Sequence, residues 1–209
     1  MKILIIDDSA WNVASAKQTL DGHDITVINT VKNAYTLIMG YSEYNGGPDI
    51  HMKDFDALLT DLYLPVGNYE GQMYTPAKVR VNEINAPEGF VEQTEQVARG
   101  QIPAGLVFAL AAMNAGVRTV ICTDTDHHRD WICSLMDLIT HTKRPEGQRK
   151  IAFVEARMVH LKAIWDEGTQ TIVPAEIRGE EYDKRIWNGR FIKDWKRAME
   201  KSYLFPEIN

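Results

Sequence analysis

The sequence predicts a doubly wound α/β fold on a parallel sheet, and three observations predict it. Apolar runs alternate with helical stretches in the order βαβαβ(insert)αβαβ over residues 1 to 155. Three of those runs, Ile3-Leu4-Ile5-Ile6, Ala57-Leu58-Leu59-Thr60 and Thr119-Val120-Ile121-Cys122, are continuously apolar, as strands covered on both faces are. Each ends in acid or hydroxyl groups: Asp7-Asp8 after the first, Asp61 after the second, Thr123-Asp124 after the third. In an open parallel sheet a ligand sits beyond the carboxyl ends of the strands, so these residues can meet although they are far apart in sequence.

Each element has a local reason. After the first strand, Ser9 can cap a helix to about Leu20, with Val13, Ala16 and Leu20 on one face and Asp21-Gly22 as its end. Ile25-Thr26-Val27-Ile28 is a β-branched second strand. Thr30 can cap the next helix, whose Val31, Ala34, Tyr35 and Ile38 share a core-facing stripe. Gly40 and the polar stretch Ser42 to Asp49 form a loop before the central strand.

Between Val66 and about Gly100 lie roughly 35 residues that a short strand-to-helix connection does not need. Alternation in Ala77-Lys78-Val79-Arg80-Val81 predicts a strand or hairpin there, and the insertion serves either as a lid or partner surface over the acidic end or as an elaboration along the edge. Pro103 then opens a helix with Leu106, Ala109, Leu110 and Met113 as its core stripe, and Gly116 terminates it in the left-handed conformation. Asp126 can cap a further helix carrying Ile132, Leu135, Met136 and Ile139, ended by Pro145-Glu146-Gly147. Lys150 to Val154 is the fifth strand. The extension 156–209 holds a short helix around Met158 to Trp165 and a closing helix from about Arg190 to Lys201, with Phe191, Trp195 and Ala198 on one side. The whole chain of 209 residues reads as one elaborated domain.

Composition narrows the function classes. The 44% hydrophobic and 25% charged shares are those of an ordinary soluble protein. A net charge of -6 argues against a general nucleic-acid binder, which needs a basic face, and the tail's balanced charges do not read as a DNA-binding output domain. No run approaches the roughly 18 apolar residues of a membrane span, and Met1-Lys2 leads straight into a strand, so the expected compartment is the cytoplasm. Cys122 and Cys133 are expected as buried thiols rather than a disulfide or metal site.

Asp7, Asp8 and Asp61 at one sheet end repel one another by about 4 kcal/mol per close pair at an effective dielectric near 20. A divalent cation relieves that conflict, and an all-oxygen donor set suits Mg2+ (or Mn2+), which accepts one or two carboxylates together with phosphate oxygens.

With Asp7-Asp8, Asp61 and Thr123 at successive strand ends, and Leu58-Leu59-Thr60-Asp61-Leu62-Tyr63-Leu64-Pro65 around the central acid, the chain resembles a response-regulator receiver domain. The resemblance implies a flavodoxin-like five-stranded sheet in the order 2-1-3-4-5 with helices on both faces. It implies Mg2+ held by Asp7, Asp8, Asp61 and the backbone carbonyl of Tyr63. It implies a phosphoryl group accepted on Asp61 from a histidine kinase or phosphotransfer protein, a hydrogen bond to it from Thr123, and Phe153 as the aromatic switch residue. Output would run through a downstream protein partner, with no nucleic acid and no membrane, in a phosphoacceptor rather than a turnover enzyme. The family's lysine after the fifth strand has no match: Glu155 or Ala156 falls there, and Arg157 and Lys162 are the nearest cations. A pseudo-receiver that binds partners without phosphorylation is therefore the alternative. Thr123-Asp124-Thr125-Asp126 also resembles the Asp-x-Asp start of haloacid-dehalogenase-type phosphatases, and Asp126-His127-His128 a phosphoesterase metal signature, although no third ligand accompanies the histidines.

Overall fold

The computed structural model describes residues 1–39, 51–65, 101–124, 132, 150–166, 168–174 and 191–208. The main sheet is parallel and has five strands: β1 (Lys2–Ile6), β2 (Asp24–Ile28), β3 (Ala57–Thr60), β6 (Arg118–Thr123) and β7 (Ile151–Glu155). Two further pairs are antiparallel, β4 (Leu64–Pro65) with β5 (Gln101–Ile102), and β8 (Ala163–Asp166) with β9 (Thr171–Pro174). Four α-helices are described: α1 (Ala10–Thr19), α2 (Val31–Met39), α3 (Ala104–Asn114) and α4 (Trp195–Ser202). The sheet order is β2-β1-β3-β6-β7. The expected 2-1-3-4-5 is numbered 2-1-3-6-7 because β4 and β5, a separate ladder that nothing in the sequence announces, come in chain order between β3 and β6, which pair directly.

Pleating sends alternate residues of β1 to opposite layers. Ile3 and Ile5 pack with Ala16 and Leu20, near α1's end, and with Trp195, Ala198 and Met199 of α4. Leu4 and Ile6 pack with Ala34 of α2 and with Phe108 and Ala112 of α3. All four β1 residues are fully buried, which accounts for the unbroken apolar run, each contributing about 1.5 to 3 kcal/mol of burial free energy. Ser9 is the N-cap of α1 by backbone, accepting the Val13 N–H on its carbonyl, while its side chain makes no cap bond. Thr30 Oγ1 does accept the Asn33 N–H, at 3.2 Å. Gly116, at φ 81°, ends α3 as expected.

Several expected details are corrected. Tyr35 is 50% exposed and Leu110 42% exposed, so neither belongs to a core stripe. In α3 the buried residues are Ala104, Gly105, Phe108, Ala109 and Ala112, and apolar residues on every side left the spacing unable to choose a face. The helix expected around Met158 to Trp165 is a 3-10 turn at Ala156–Met158 followed by β8, whose hairpin partner β9 overrides the helical spacing. Asp166 Oδ1 closes that hairpin by accepting the N–H groups of Gly168 and Thr169, bonds that hold its carboxyl below the usual range. The closing helix starts at Trp195, not near Arg190, because the preceding residues run extended against 159–161: Leu161 N–H donates to Ile192 O and Asp194 N–H to Val159 O. Asp194 then caps α4 by accepting the Arg197 N–H at 3.0 Å.

The expected loop Ser42 to Asp49, the body of the insertion 66–100 with its strand Ala77 to Val81, Cys133, His127, His128 and the remainder of the helix around Ile132 lie outside the described residues. The flanks of the insertion are described: Leu64 pairs with Ile102 and Pro65 with Gln101, so the chain leaves and re-enters at one point just beyond Asp61. No helix among the described residues is long and apolar enough to cross a membrane.

Candidate functional site

Strand register brings the acids together. Ile6 of β1, Thr60 of β3, Ile121 of β6 and Phe153 of β7 lie in one row across the sheet, so Asp7 and Asp61 both follow at the carboxyl edge. Backbone bonds continue the ladder one step beyond the strands, with Asp61 N–H donating to Ile6 O at 2.9 Å and Asp7 N–H to Ile28 O at 3.2 Å. Asp7 and Asp61 are buried and Asp8 is half-buried. One carboxylate oxygen from each of the three lies within 4.8 Å of the other two, a spacing that one cation can bridge.

A lysine stands in this cluster, and it is none of the cations nearest the fifth strand in sequence. Lys193, 1% exposed, places Nζ 2.7 Å from Asp7 Oδ2 and 3.1 Å from Asp61 Oδ2. It arrives from the extended segment that precedes α4, after the chain has passed through the β8–β9 hairpin. Arg157 instead pairs with Glu155 at the exposed end of β7, and Lys162 is exposed. Neither Arg157 nor Lys162, the cations that follow the strand in sequence, supplies the charge. The physical reason is that an excursion separates the strand from its lysine, so counting forward from β7 reaches the wrong residues. Counting back from the closing helix, to Lys193 two residues before Trp195, is the signal that finds it.

Asp7 is held by three donors. Its Oδ1 accepts the Ser9 N–H at 2.9 Å and Asn12 Nδ2 at 3.1 Å, and its Oδ2 accepts Asn12 Nδ2 at 3.1 Å and Lys193 Nζ. Asp61 Oδ1 accepts the Leu62 N–H at 2.7 Å. Burial raises the Asp61 carboxyl from its ordinary 3.8 to about 7; Asp7 and Asp124 push the same way, and Lys193 opposes them. For Lys193, burial favours the neutral amine, but the adjacent Asp61 and Asp7 outweigh it and hold the ammonium above its usual range. The pair is thus buried charge against buried charge, a state that persists only while both partners remain.

Of the other expected site residues, Thr123 is buried at the end of β6, and Tyr63 is buried two positions past Asp61. Phe153 is half-buried on β7, packed against the cluster that contains Ile121. Asp124 lies near enough for its charge to act on Asp61. Cys122 is a free, buried thiol that burial pushes up to about 12, which makes it inert. Asp126 and the two histidines of the alternative phosphatase and phosphoesterase motifs are outside the described residues.

Sequence reasoning missed two further residues. Asn12 joins Asp7 to the Lys193 backbone, and Gly105 lets α3 approach β3. A Cβ on Gly105 would stand 1.9 Å from the Asp61 carbonyl oxygen, and the Gly105 N–H donates to Leu62 O at 3.0 Å. A glycine in the first turn of a helix, two residues after Pro103, was the available signal for that close approach. No family model matches the chain, and no curated protein or solved structure does either.

Proposed function

We propose that the chain is an atypical receiver-like phosphoacceptor with a flavodoxin-like sheet, taking a phosphoryl group onto Asp61 from a histidine kinase or phosphotransfer protein and signalling by protein–protein contact. The observation that carries this reading is the buried Lys193 ammonium between Asp7 and Asp61. It supports the reading by adding a lysine to the acid pair, acceptor acid and hydroxyl, the group whose absence from the end of the fifth strand suggested the pseudo-receiver alternative.

The donor set fits a hard divalent cation: three carboxylates of one cluster, all oxygen. Asp7, Asp8 and Asp61 would hold the cation, with the Tyr63 carbonyl as a further donor. When bound, Mg2+ supplies charge neutralisation for the oxygens of the transferring group. The residues do the rest. An Asp61 carboxylate oxygen attacks phosphorus; the P–N bond of the donor phosphohistidine breaks, and its electron pair leaves with the imidazole, which takes up a proton. Lys193 pairs with a phosphoryl oxygen in place of the Asp61 charge it now neutralises, and the Thr123 hydroxyl donates to another. That pull at the end of β6 reaches Phe153 through the neighbouring strand, and the altered surface is the output.

Loading the cation requires the Asp61 carboxylate, so binding competes with the proton that burial favours. Mg2+ titrated against intrinsic tryptophan fluorescence, with Trp11 three residues from Asp8, is expected to saturate and to weaken about ten-fold per pH unit below pH 7. In Asp61→Asn that pH dependence disappears and affinity falls. An affinity that ignores both pH and Asp61→Asn would remove the cation from this site.

A further inference from the structure

Lys193 faces His160 in an isolated antiparallel bridge, and its own backbone groups turn away from that partner. The residues on either side bond to 159–161, with Ile192 O accepting from Leu161 and Asp194 N–H donating to Val159, whereas Lys193 turns its N–H and C=O toward α1. Its N–H donates to Asn12 Oδ1 at 3.1 Å, and its carbonyl accepts Ser15 Oγ. Asn12 is 2% exposed, and its Nδ2 spans both oxygens of Asp7 at 3.1 Å each. Its backbone carbonyl accepts the Trp195 indole N–H at 2.9 Å.

From these contacts we infer that Asn12 is a positioning residue, a clasp that sets the Lys193 ammonium against the acidic cluster by gripping the Lys193 backbone and the Asp7 carboxylate at once. Only one orientation of the amide satisfies both partners, carbonyl oxygen to the N–H and NH2 to the carboxylate. Aspartate of the same shape offers only acceptors and adds a negative charge beside Asp7; leucine of similar volume offers neither donor nor acceptor. The clasp matters here because this lysine arrives at the end of a long excursion. Its role in phosphoryl transfer rests on the receiver reading above, but the placement of the ammonium does not.

The test is reductive methylation of lysines in the full chain, read peptide by peptide by mass spectrometry. Wild type is compared with Asn12→Leu, Asn12→Asp and Leu20→Ala, the last loosening the other end of the same helix. Exposed Lys2 and Lys17 are internal standards. Lys193 in wild type is expected to react at least about ten-fold more slowly than Lys17, and to lose about ten-fold of that protection in both Asn12 variants while keeping it in Leu20→Ala. Phosphorylation of Asp61 falls in step with the lost protection. Protection unchanged in the Asn12 variants, or lost equally in Leu20→Ala, overturns the clasp. Should neither Asn12 variant fold, amide hydrogen exchange of wild type decides: a Lys193 amide that opens only with global unfolding upholds the clasp, and one exchanging at the rate of an exposed loop overturns it. A wild type that takes up no phosphate yet releases Lys193 in Asn12→Leu upholds the clasp and removes the receiver reading.

Discussion

Lys193→Met is expected to lose about 3 to 5 kcal/mol of stability at pH 8, measured by urea unfolding followed by circular dichroism, because it leaves buried carboxylates without their cation. The methylene stem is kept, so the loss is electrostatic rather than a cavity. The sign of its pH dependence follows from the two groups. Asp61 binds a proton more tightly in the folded chain, about 7 against 3.8, so the fold loses stability as pH rises between those values. Lys193, raised above its ordinary 10.5, contributes stability that is fully present below that value and is lost only as pH climbs through the folded one. Without the ammonium the Asp61 proton is held more tightly still, so the variant recovers part of its deficit at pH 5, where that carboxyl is neutral. Mg2+ at pH 8 restores part of it as well. A deficit equal at pH 5 and pH 8 would mean that Lys193 acts by packing alone.

The second large effect is expected from a single methyl group. Gly105→Ala puts a Cβ 1.9 Å from the Asp61 carbonyl oxygen, 2.8 Å from its carbon and 2.9 Å from Leu62 Cα. All three are backbone atoms, so no side chain can swing away. Either the first turn of α3 lifts off β3 or the Asp61–Leu62 peptide moves, and the acceptor carboxylate moves with it. The expected cost is about 3 kcal/mol, at the upper end for an overpacked site. A displacement near 1 Å at the reacting group costs roughly 100-fold in phosphorylation rate. Thermal melting together with the initial rate of Asp61 phosphorylation reads both effects. Wild-type values on both would show that α3 and β3 sit farther apart than described.

What was legible in the sequence, and what was not, divides by the range of the cause. Strands whose burial is two-sided announce themselves, and Ile3 to Ile6, Ala57 to Thr60 and Thr119 to Cys122 all sit within sheet strands. Their terminal acids were readable because the carboxyl edge of a parallel sheet is a consequence of strand direction alone. Lys193 was not readable forward from β7, since its place depends on the β8–β9 hairpin closing and returning the chain, a long-range event with no local pattern. Asn12 looked like an ordinary polar helix residue, and its importance arises only from a partner 181 positions away. Tyr35 and Leu110 fell where the helical period allows burial, but both are exposed. Met158 to Trp165 has helical spacing and yet forms a turn and a strand, because pairing with Thr171–Pro174 satisfies its backbone better than a short isolated helix would.

The most direct test of the central claim is the intact mass of the protein after incubation with Mg2+ and acetyl phosphate, with wild type beside Asp61→Asn. A single base-labile phosphoryl adduct is expected on wild type, none on Asp61→Asn, and a strongly reduced yield on Lys193→Met. No adduct on wild type, or the same adduct on Asp61→Asn, would contradict that claim.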